Sequence, residues 1–234
     1  MRRRDLVKIP SLLPLLSRRA TGQATGARRN ILVMVADDLG LHAGTYGDPA
    51  ARTPNLDRLA NEGIRFTNAY CTTASCSASR SVIFTGLQNH ANGQYGHAHA
   101  EHHMSLLPHV KPLPALLKPS GYKSGLIGKF HVGPPSQFGW DYLNEGQSRN
   151  VQLMAQRARS FIQSAAGAPW YLHVGYSDPH RAAKGFANEG SYPGVRKTAF
   201  DPASIKVPSF LPDNAAVRGE LAQYYEAANR MDQG

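Results

Sequence analysis

The stretch Asn-Ile-Leu-Val-Met-Val-Ala-Asp-Asp, residues 30–38, is a continuous apolar run that ends in two aspartates. Because polar residues do not alternate within it, the run predicts a β-strand buried on both faces, as in a parallel sheet. Residues 123–127 and 170–176 form two further apolar runs of strand length. The three runs therefore predict the strands of one sheet.

Segments with helical spacing of apolar residues separate the predicted strands. Thr53 is a candidate N-cap, Pro54 suits the first helical position, and Gly63 suits the helix end. Further helices are predicted over residues 79–85, 113–117, 151–162 and 214–231. Strands that alternate with helices predict an α/β fold, here a layered α/β/α sandwich with a mostly parallel sheet.

Polar side chains follow each predicted strand. Asp37 and Asp38 end the first strand, and Lys129 and His131 follow the second. His180 follows the third, within Asp-Pro-His. Because ligands of open parallel sheets bind beyond the carboxyl ends of the strands, we expect these side chains to form one site.

The positive charge of the chain is concentrated at its start. The formal net charge is +10, and residues 1–29 contribute +7 of it, with eight Lys or Arg and one Asp. The remaining +3 on residues 30–234 gives no strong case for nucleic acid as a partner. No apolar run approaches the roughly 20 residues that span a bilayer, so no transmembrane segment is expected.

Residues 1–29 are predicted to be an export leader. The order Arg-Arg-Asp-Leu-Val-Lys, residues 3–8, is similar to a twin-arginine signal, and small residues accumulate towards residue 27. This interpretation predicts export to the bacterial periplasm or the extracellular space, with residues 30–234 as the folded domain. The alternative is a disordered basic tail on a cytoplasmic protein.

The two cysteines, Cys71 and Cys76, do not form a disulfide framework or a zinc-ligand spacing. Cys71 is expected to be a small buried apolar residue. Cys76 opens the segment Cys-Ser-Ala-Ser-Arg, which is followed by Thr-Gly at residues 85–86. This segment resembles the signature of the type I sulfatase family, Cys-x-Pro-Ser-Arg with Thr-Gly five residues after the Arg. The chain departs from the pattern at Ala78, where the family usually has Pro.

The resemblance implies that Cys76 is the nucleophile. In the family a maturase converts this cysteine to formylglycine, whose hydrated aldehyde attacks sulfur and later expels sulfate by reforming the aldehyde. Cys76 is expected just ahead of a helix, where unpaired N–H groups favour developing negative charge. Arg80, one turn further on, would hydrogen-bond the anion. Bacterial maturases are expected to accept Ala78.

The resemblance also implies a calcium ion. Asp37, Asp38 and the converted Cys76 would bind it, together with an Asp-Asn pair from much later in longer family members. Calcium takes about six to eight oxygen ligands, so two carboxylates alone make a poor site.

The same resemblance assigns the residues that follow the second and third strands. Lys129 and His131 lie in a segment similar to the family's Gly-Lys-x-His-x-Gly and would contact the formylglycine and the sulfate oxygens. His180 would bind sulfate or protonate the leaving group.

The resemblance covers nearly all of residues 30–234 and is strongest to the heparan N-sulfatase branch, through residues 53–57 and 230–234. It implies an alkaline phosphatase-like fold and hydrolysis of a sulfate ester or sulfamate of a sulfated sugar or glycosaminoglycan. Family members are considerably longer, so the C-terminal part of the fold is expected to be missing. The chain alone is then expected to bind calcium weakly and to turn over little substrate. A homodimer is left open.

A dense histidine cluster comprises His97, His99, His102 and His103. Alternate histidines could bind a transition metal. The preceding Asn-Gly-Gln-Tyr-Gly at residues 92–96 instead resembles a heparan N-sulfatase stretch, which favours a loop near the substrate mouth. We expect the loop and not the metal site.

Other functions are weighed against the sulfatase. A phosphomonoesterase or phosphodiesterase of the alkaline phosphatase-like superfamily usually has Ser or Thr as nucleophile, and Cys76 argues against it. A vestigial, non-catalytic glycan-binding protein is favoured by Ala78 and by the short chain. A nucleic-acid binder rests on the basic leader alone.

Overall fold

The computed structural model describes residues 28–99 and 101–234. The leader predicted over residues 1–29 therefore lies outside the described residues, apart from its last two. The strands are β1 Ile31–Asp37, β2 Lys123–Gly128, β3 Tyr142–Glu145 and β4 Trp170–Pro179. The helices are α1 Pro54–Glu62, α2 Cys76–Thr85, α3 Asn89–Asn92, α4 Leu113–Leu117, α5 Val151–Ser164 and α6 Ala215–Asp232. In this part of the chain, no helix combines the length and apolar character that crossing a membrane requires.

All four strands pair in parallel, in the order β1-β4-β2-β3. Val174 on β4 lies between Met34 on β1 and Ile127 on β2. The three predicted strands and the parallel sheet are confirmed, and the short strand β3 is an addition. Because every strand runs the same way, the residues after Asp37, Gly128 and Pro179 emerge at one edge of the sheet.

Helices cover the two faces of the sheet and make three layers. On one face, Met154 and Phe161 of α5 pack with Met231 of α6 against Ile127 and other strand residues. On the opposite face, Phe84 of α2 packs in a cluster with Leu126, Phe130 and Phe138. Leu126 and Ile127 are neighbours on one strand, so their side chains point to opposite faces. The α/β/α layering is therefore confirmed.

The expected burial of β1 on both faces is wrong. Leu32 and Met34 are 49% and 48% exposed, whereas strand β2 is buried from Ser124 to Gly128. Among the described residues, β1 lies at the edge of the sheet and pairs with β4 alone, so fewer neighbouring side chains cover it. Met34 also borders an open groove of about 450 Å³ beside Leu59 and Met231.

Helix α1 begins where predicted but is capped by another residue. The Thr53 side chain makes no cap bond and instead accepts a hydrogen bond from the Gly44 backbone N–H. The carboxylate of Asp232 accepts hydrogen bonds from the backbone N–H of Asn55 (3.1 Å) and of Leu56 (2.8 Å). The end of α6 therefore caps the start of α1.

Candidate active site

Cys76 is the first residue of α2, one turn earlier than the predicted start at Ser79. The first intrahelical hydrogen bond runs from the Ser79 N–H to the Ser75 carbonyl, so the N–H groups of residues 76–78 have no helical partner. The N–H of residue 78 is one of these groups, so a proline there, which lacks an N–H, would cost the helix no hydrogen bond. Alanine at position 78 therefore departs from the family pattern without changing the hydrogen bonding of the helix.

The side chain of Arg80 lies behind this turn and is 2% exposed. Its guanidinium donates to the carboxylate of Asp37 (3.3 Å) and to the backbone carbonyls of Lys129 (3.1 Å) and Tyr176 (3.4 Å). These three groups belong to the ends of β1, β2 and β4. Arg80 thereby fixes the helix that carries Cys76 to the edge where the strands end.

Lys129 and His131 follow a close contact between two glycines. Gly128 has φ 86°, and a Cβ there would collide with the carbonyl oxygen of Gly175 on the next strand. The chain can then turn so that the Lys129 ammonium pairs with the Asp37 carboxylate. His131 adopts φ 62°, in the left-handed region that few residues other than glycine use.

Burial lowers the pKa of His131 to about 4, and the nearby positive charge of Lys129 adds to the effect. The imidazole is therefore neutral at pH 7. Its Nδ1 atom is buried without a hydrogen-bond partner among the described residues.

Asp38 and His180 form the open side of the site. Asp38 has φ 63°, and its side chain is 63% exposed. His180 Nε2 lies 3.8 Å from the Asp38 carboxylate, and its side chain is 40% exposed. The hydroxyl of Tyr224 on α6 donates to the Asp38 carbonyl (3.0 Å) and holds the loop in place.

Two arginines that sequence reasoning missed hold the segment that carries His180. Asp178 is fully buried and accepts hydrogen bonds from Nε (2.6 Å) and Nη2 (2.8 Å) of Arg230. Arg149 pairs with the same carboxylate and donates to the His180 carbonyl (2.7 Å). The one available signal was the resemblance of residues 230–234, because nothing in their local sequence reveals a partner 52 positions away.

The histidine cluster places one member directly beside Cys76. The Cys76 Sγ lies 3.7 Å from the Nδ1 of His97. Ligand atoms of Cys76, His97 and His131 all lie within 4.8 Å of one another. Among residues 28–99 and 101–234, no other group of three or more Cys, His, Asp or Glu meets this condition. The sequence interpretation set the cluster aside as a metal site, and the structure brings His97 into the site.

Cys71 is exposed, so its expected burial is wrong. It lies in the segment between α1 and α2, where residues 61–72 are exposed throughout and no described element covers the thiol.

The described residues supply some, but not all, of the oxygen ligands that a calcium ion needs. Asp37 and Asp38 supply hard carboxylate oxygens at a strand end, as calcium prefers. Both oxygens of Asp37 already face cations, those of Arg80 and Lys129. Asp38 is therefore the carboxylate with an open side, and these two residues give less than the six to eight oxygens of a full site.

A family model described as Sulfatase matches residues 29–234. Human N-sulphoglucosamine sulphohydrolase is 37% identical over 227 residues, which cover 88% of this chain and 45% of that protein. An N-acetylgalactosamine-6-O-sulfatase of Bacteroides thetaiotaomicron is 35% identical over 114 residues, or 48% of this chain and 22% of that protein. The chain thus spans less than half the length of these relatives.

Solved structures share the fold at low sequence identity. One is an enzyme in complex with its substrate D-glucosamine-2-N,6-O-disulfate, with a TM-score of 0.65, 20% identity, and coverage of 88% of this chain and 60% of that chain. Another is a phosphonate monoester hydrolase from Silicibacter pomeroyi, with a TM-score of 0.66, 15% identity, and coverage of 88% and 57%. These likenesses confirm the alkaline phosphatase-like α/β architecture, and the match over residues 29–234 shows that the chain belongs to the sulfatase family.

Proposed function

We propose that this chain carries the nucleophile half of a hydrolase that cleaves a sulfate ester or sulfamate of a sulfated glycan. One observation carries the proposal. Cys76 of the signature lies at the start of α2, and Arg80 of the same helix binds Asp37 at 3.3 Å, which supports a single site for the cysteine and the strand-end cluster. The proposed modification is conversion of Cys76 to formylglycine, whose hydrated aldehyde supplies a nucleophile for sulfur.

Lys129 and His131 are the groups proposed to receive the sulfate. The Lys129 ammonium carries positive charge at the strand end, where it lowers the cost of negative charge on sulfate oxygens. Neutral His131 offers a ring nitrogen beside residue 76, and it neither adds repulsion to Lys129 nor needs to lose a proton first.

His180 is the group proposed to reach the leaving oxygen or nitrogen. It is the most exposed of the proposed catalytic side chains, and its Nε2 faces Asp38 across the opening. A histidine in this position can donate a proton to a leaving group. Arg149 and Arg230 act through Asp178 as positioning residues for its segment.

Arg80 is proposed to hold the other site residues in position and not to bind the substrate directly. Both Nη atoms of the guanidinium already donate to protein oxygens, and the side chain is buried. Calcium, when bound at Asp37 and Asp38, would supply positive charge that polarises the sulfate. The substrate class, a sulfated glycan, is supported by the relatives named above, which act on sulfated amino sugars by name.

The proposal is tested first at residue 76. The chain is co-expressed with a bacterial formylglycine-generating maturase, and tryptic residues 66–80, which hold both cysteines, are sequenced by mass spectrometry. We expect loss of sulfur and gain of an aldehyde at Cys76, with Cys71 unchanged. Cys71→Ser is the matched control and should be converted equally, whereas Cys76→Ser should not be converted by that maturase.

The converted chain is then assayed with aryl sulfate, aryl sulfamate and aryl phosphate in the presence of calcium. Sulfate or sulfamate turnover above that of Cys76→Ser supports the proposal. An intact Cys76 thiol, while a known signature peptide is converted in the same cells, would overturn the nucleophile. Phosphate turnover by the unconverted thiol would favour a phosphatase instead. Glycan binding without conversion would favour the non-catalytic protein.

A further inference from the structure

The thiol of Cys76 and two imidazoles meet in a geometry that the hydrolase proposal does not use. The Sγ of Cys76 and the Nδ1 of His97 are 3.7 Å apart, and one ligand atom from each of Cys76, His97 and His131 lies within 4.8 Å of the other two. A tetrahedral zinc ion with Zn–S of about 2.3 Å and Zn–N of about 2.0–2.1 Å needs an S···N separation of about 3.5 Å. The observed separation is close to that value before any ion enters.

The two histidines are held in place from several sides. The backbone around His97 is anchored, since the Ala98 N–H donates to Ser77 Oγ (3.1 Å) and the Met104 N–H donates to the His97 carbonyl (3.0 Å). The ring of His131 stacks on the ring of His99, with centroids 4.6 Å apart and planes 8° from parallel. Ligands that are positioned in advance bind a metal without a large ordering cost.

The His131 ring also has a nitrogen that no protein group uses. Its Nδ1 is buried and has no hydrogen-bond partner among the described residues, which is uncommon for a buried polar atom. The nearest cations, Lys129 and Arg80, share the single carboxylate of Asp37, so one positive charge of this cluster has no counter-charge within it. The thiolate of Cys76 would add the negative charge that a divalent ion requires.

From these contacts we infer that the unconverted chain binds a zinc-like transition metal through Cys76, His97 and His131. One thiolate and two imidazoles are a donor set that suits zinc, and three protein ligands leave a fourth position for water. The site shares residue 76 with the calcium site that the resemblance implies, but its donors are a thiolate and two imidazoles and not the hard oxygens of Asp37, Asp38 and converted Cys76. The inference does not rest on the hydrolase activity, because it concerns the thiol before conversion.

One consequence is that metal binding and conversion of Cys76 exclude each other. Formylglycine has no thiolate, so the converted chain loses the soft ligand. Conversely, a metal on the sulfur shields the thiol that a maturase must reach.

The test uses Co²⁺ as a spectroscopic substitute for zinc on the full chain. The unconverted protein, confirmed by intact mass and freed of metal, is titrated with Co²⁺ under reducing conditions. We expect one equivalent to produce a sulfur-to-cobalt charge-transfer band and the visible bands of tetrahedral cobalt. Zinc should displace both.

Variants separate this site from other ligands. Cys76→Ser should abolish the charge-transfer band, and His97→Ala should weaken Co²⁺ binding by at least about tenfold. The exposed residues Cys71 and His109 provide matched controls, since Cys71→Ser and His109→Ala should titrate like the parent. Asp38→Asn should also leave the bands unchanged. Circular dichroism confirms that each variant is folded.

Three outcomes would overturn the inference: no band with the folded parent at Co²⁺ well above the protein concentration, a band that persists in Cys76→Ser, or a band that is lost in Cys71→Ser. If His97→Ala fails to fold, Cys76→Ser still decides, because it changes one atom. Failure of conversion in the earlier experiment would leave the cobalt result intact, so the two proposals fail independently.

Discussion

The guanidinium of Arg80 lies 3.3 Å from the carboxylate of Asp37, and neither side chain is more than 4% exposed. A buried carboxylate that loses one of its two cationic partners keeps its desolvation cost with less compensation, and here only Lys129 would remain. We expect Arg80→Met to lower the free energy of unfolding by about 3–5 kcal/mol, measured by urea denaturation. The control is Arg58→Met, which breaks an exposed pair with Glu62 and should change little. An equal loss in both variants would show that the buried pair of Arg80 stabilises the fold no more than an exposed ion pair does.

The cap that Asp232 provides for α1 gives a second prediction. Asp232→Ala leaves the N–H groups of Asn55 and Leu56 without their acceptor, at a cost of about 1–2 kcal/mol. Hydrogen exchange at these two amides should accelerate in the variant. Glu62→Ala, at the exposed end of the same helix, should leave both amides protected. Unchanged exchange in Asp232→Ala would mean that the carboxylate does not cap the helix.

A third prediction compares the two arginines on Asp178. Arg230 donates two bonds to that carboxylate and others to Asn188 and Phe186, whereas Arg149 gives Asp178 a single bond. Arg230→Met should therefore destabilise the chain by more than Arg149→Met. Arg230→Lys should not restore stability, because an ammonium cannot donate in the planar, two-bond geometry. Full rescue by lysine would contradict the role of that geometry.

His173 gives a prediction about pH. Burial lowers its pKa to about 3, against about 6.5 in an unfolded chain. Above pH 6.5 His173 is neutral in both the folded and the unfolded chain, so it adds no pH dependence to the free energy of unfolding. Between pH 6.5 and 3 only the unfolded state takes up the proton, so stability falls as pH falls.

The measurement is the slope of unfolding free energy against pH. In His173→Leu the slope between pH 6 and 4 should decrease by up to about 1.4 kcal/mol per pH unit, the value for one proton. The comparison concerns slopes, so it holds even if the substitution shifts stability at every pH. Parallel curves for parent and variant would show that His173 does not resist protonation.

Much of the architecture could be predicted from the sequence, because local pattern controls it. The apolar runs predicted the strands that contain residues 31–37, 123–128 and 170–179, and Gly63 follows the end of α1 as expected. The strand at 142–145 was missed because four residues carry too little periodicity. The edge position of β1 was missed because an apolar run does not reveal its neighbours in a sheet.

In the candidate site, too, some contacts could be predicted from the sequence and others could not. The strand-end pairs Asp37 with Lys129 and Asp38 with His180 could be expected, since parallel strands bring their carboxyl ends together. The contacts of His97 with Cys76 and of Arg230 with Asp178 could not, because they depend on how loops and helices far apart in sequence fold back. Such contacts are fixed by tertiary packing and leave no local pattern.

Helix α6 contacts segments that lie far from it in sequence. Tyr224 binds Asp38, Asp232 binds Leu56, and Arg230 binds Asp178. During translation, the signature cysteine at residue 76 is therefore made long before the segment that closes the site around it. At about 5–20 residues per second, the ribosome needs about 8–30 s to travel from residue 76 to residue 232. A maturase of the proposed kind, if it acts on the nascent chain, would have this interval before helix α6 is complete.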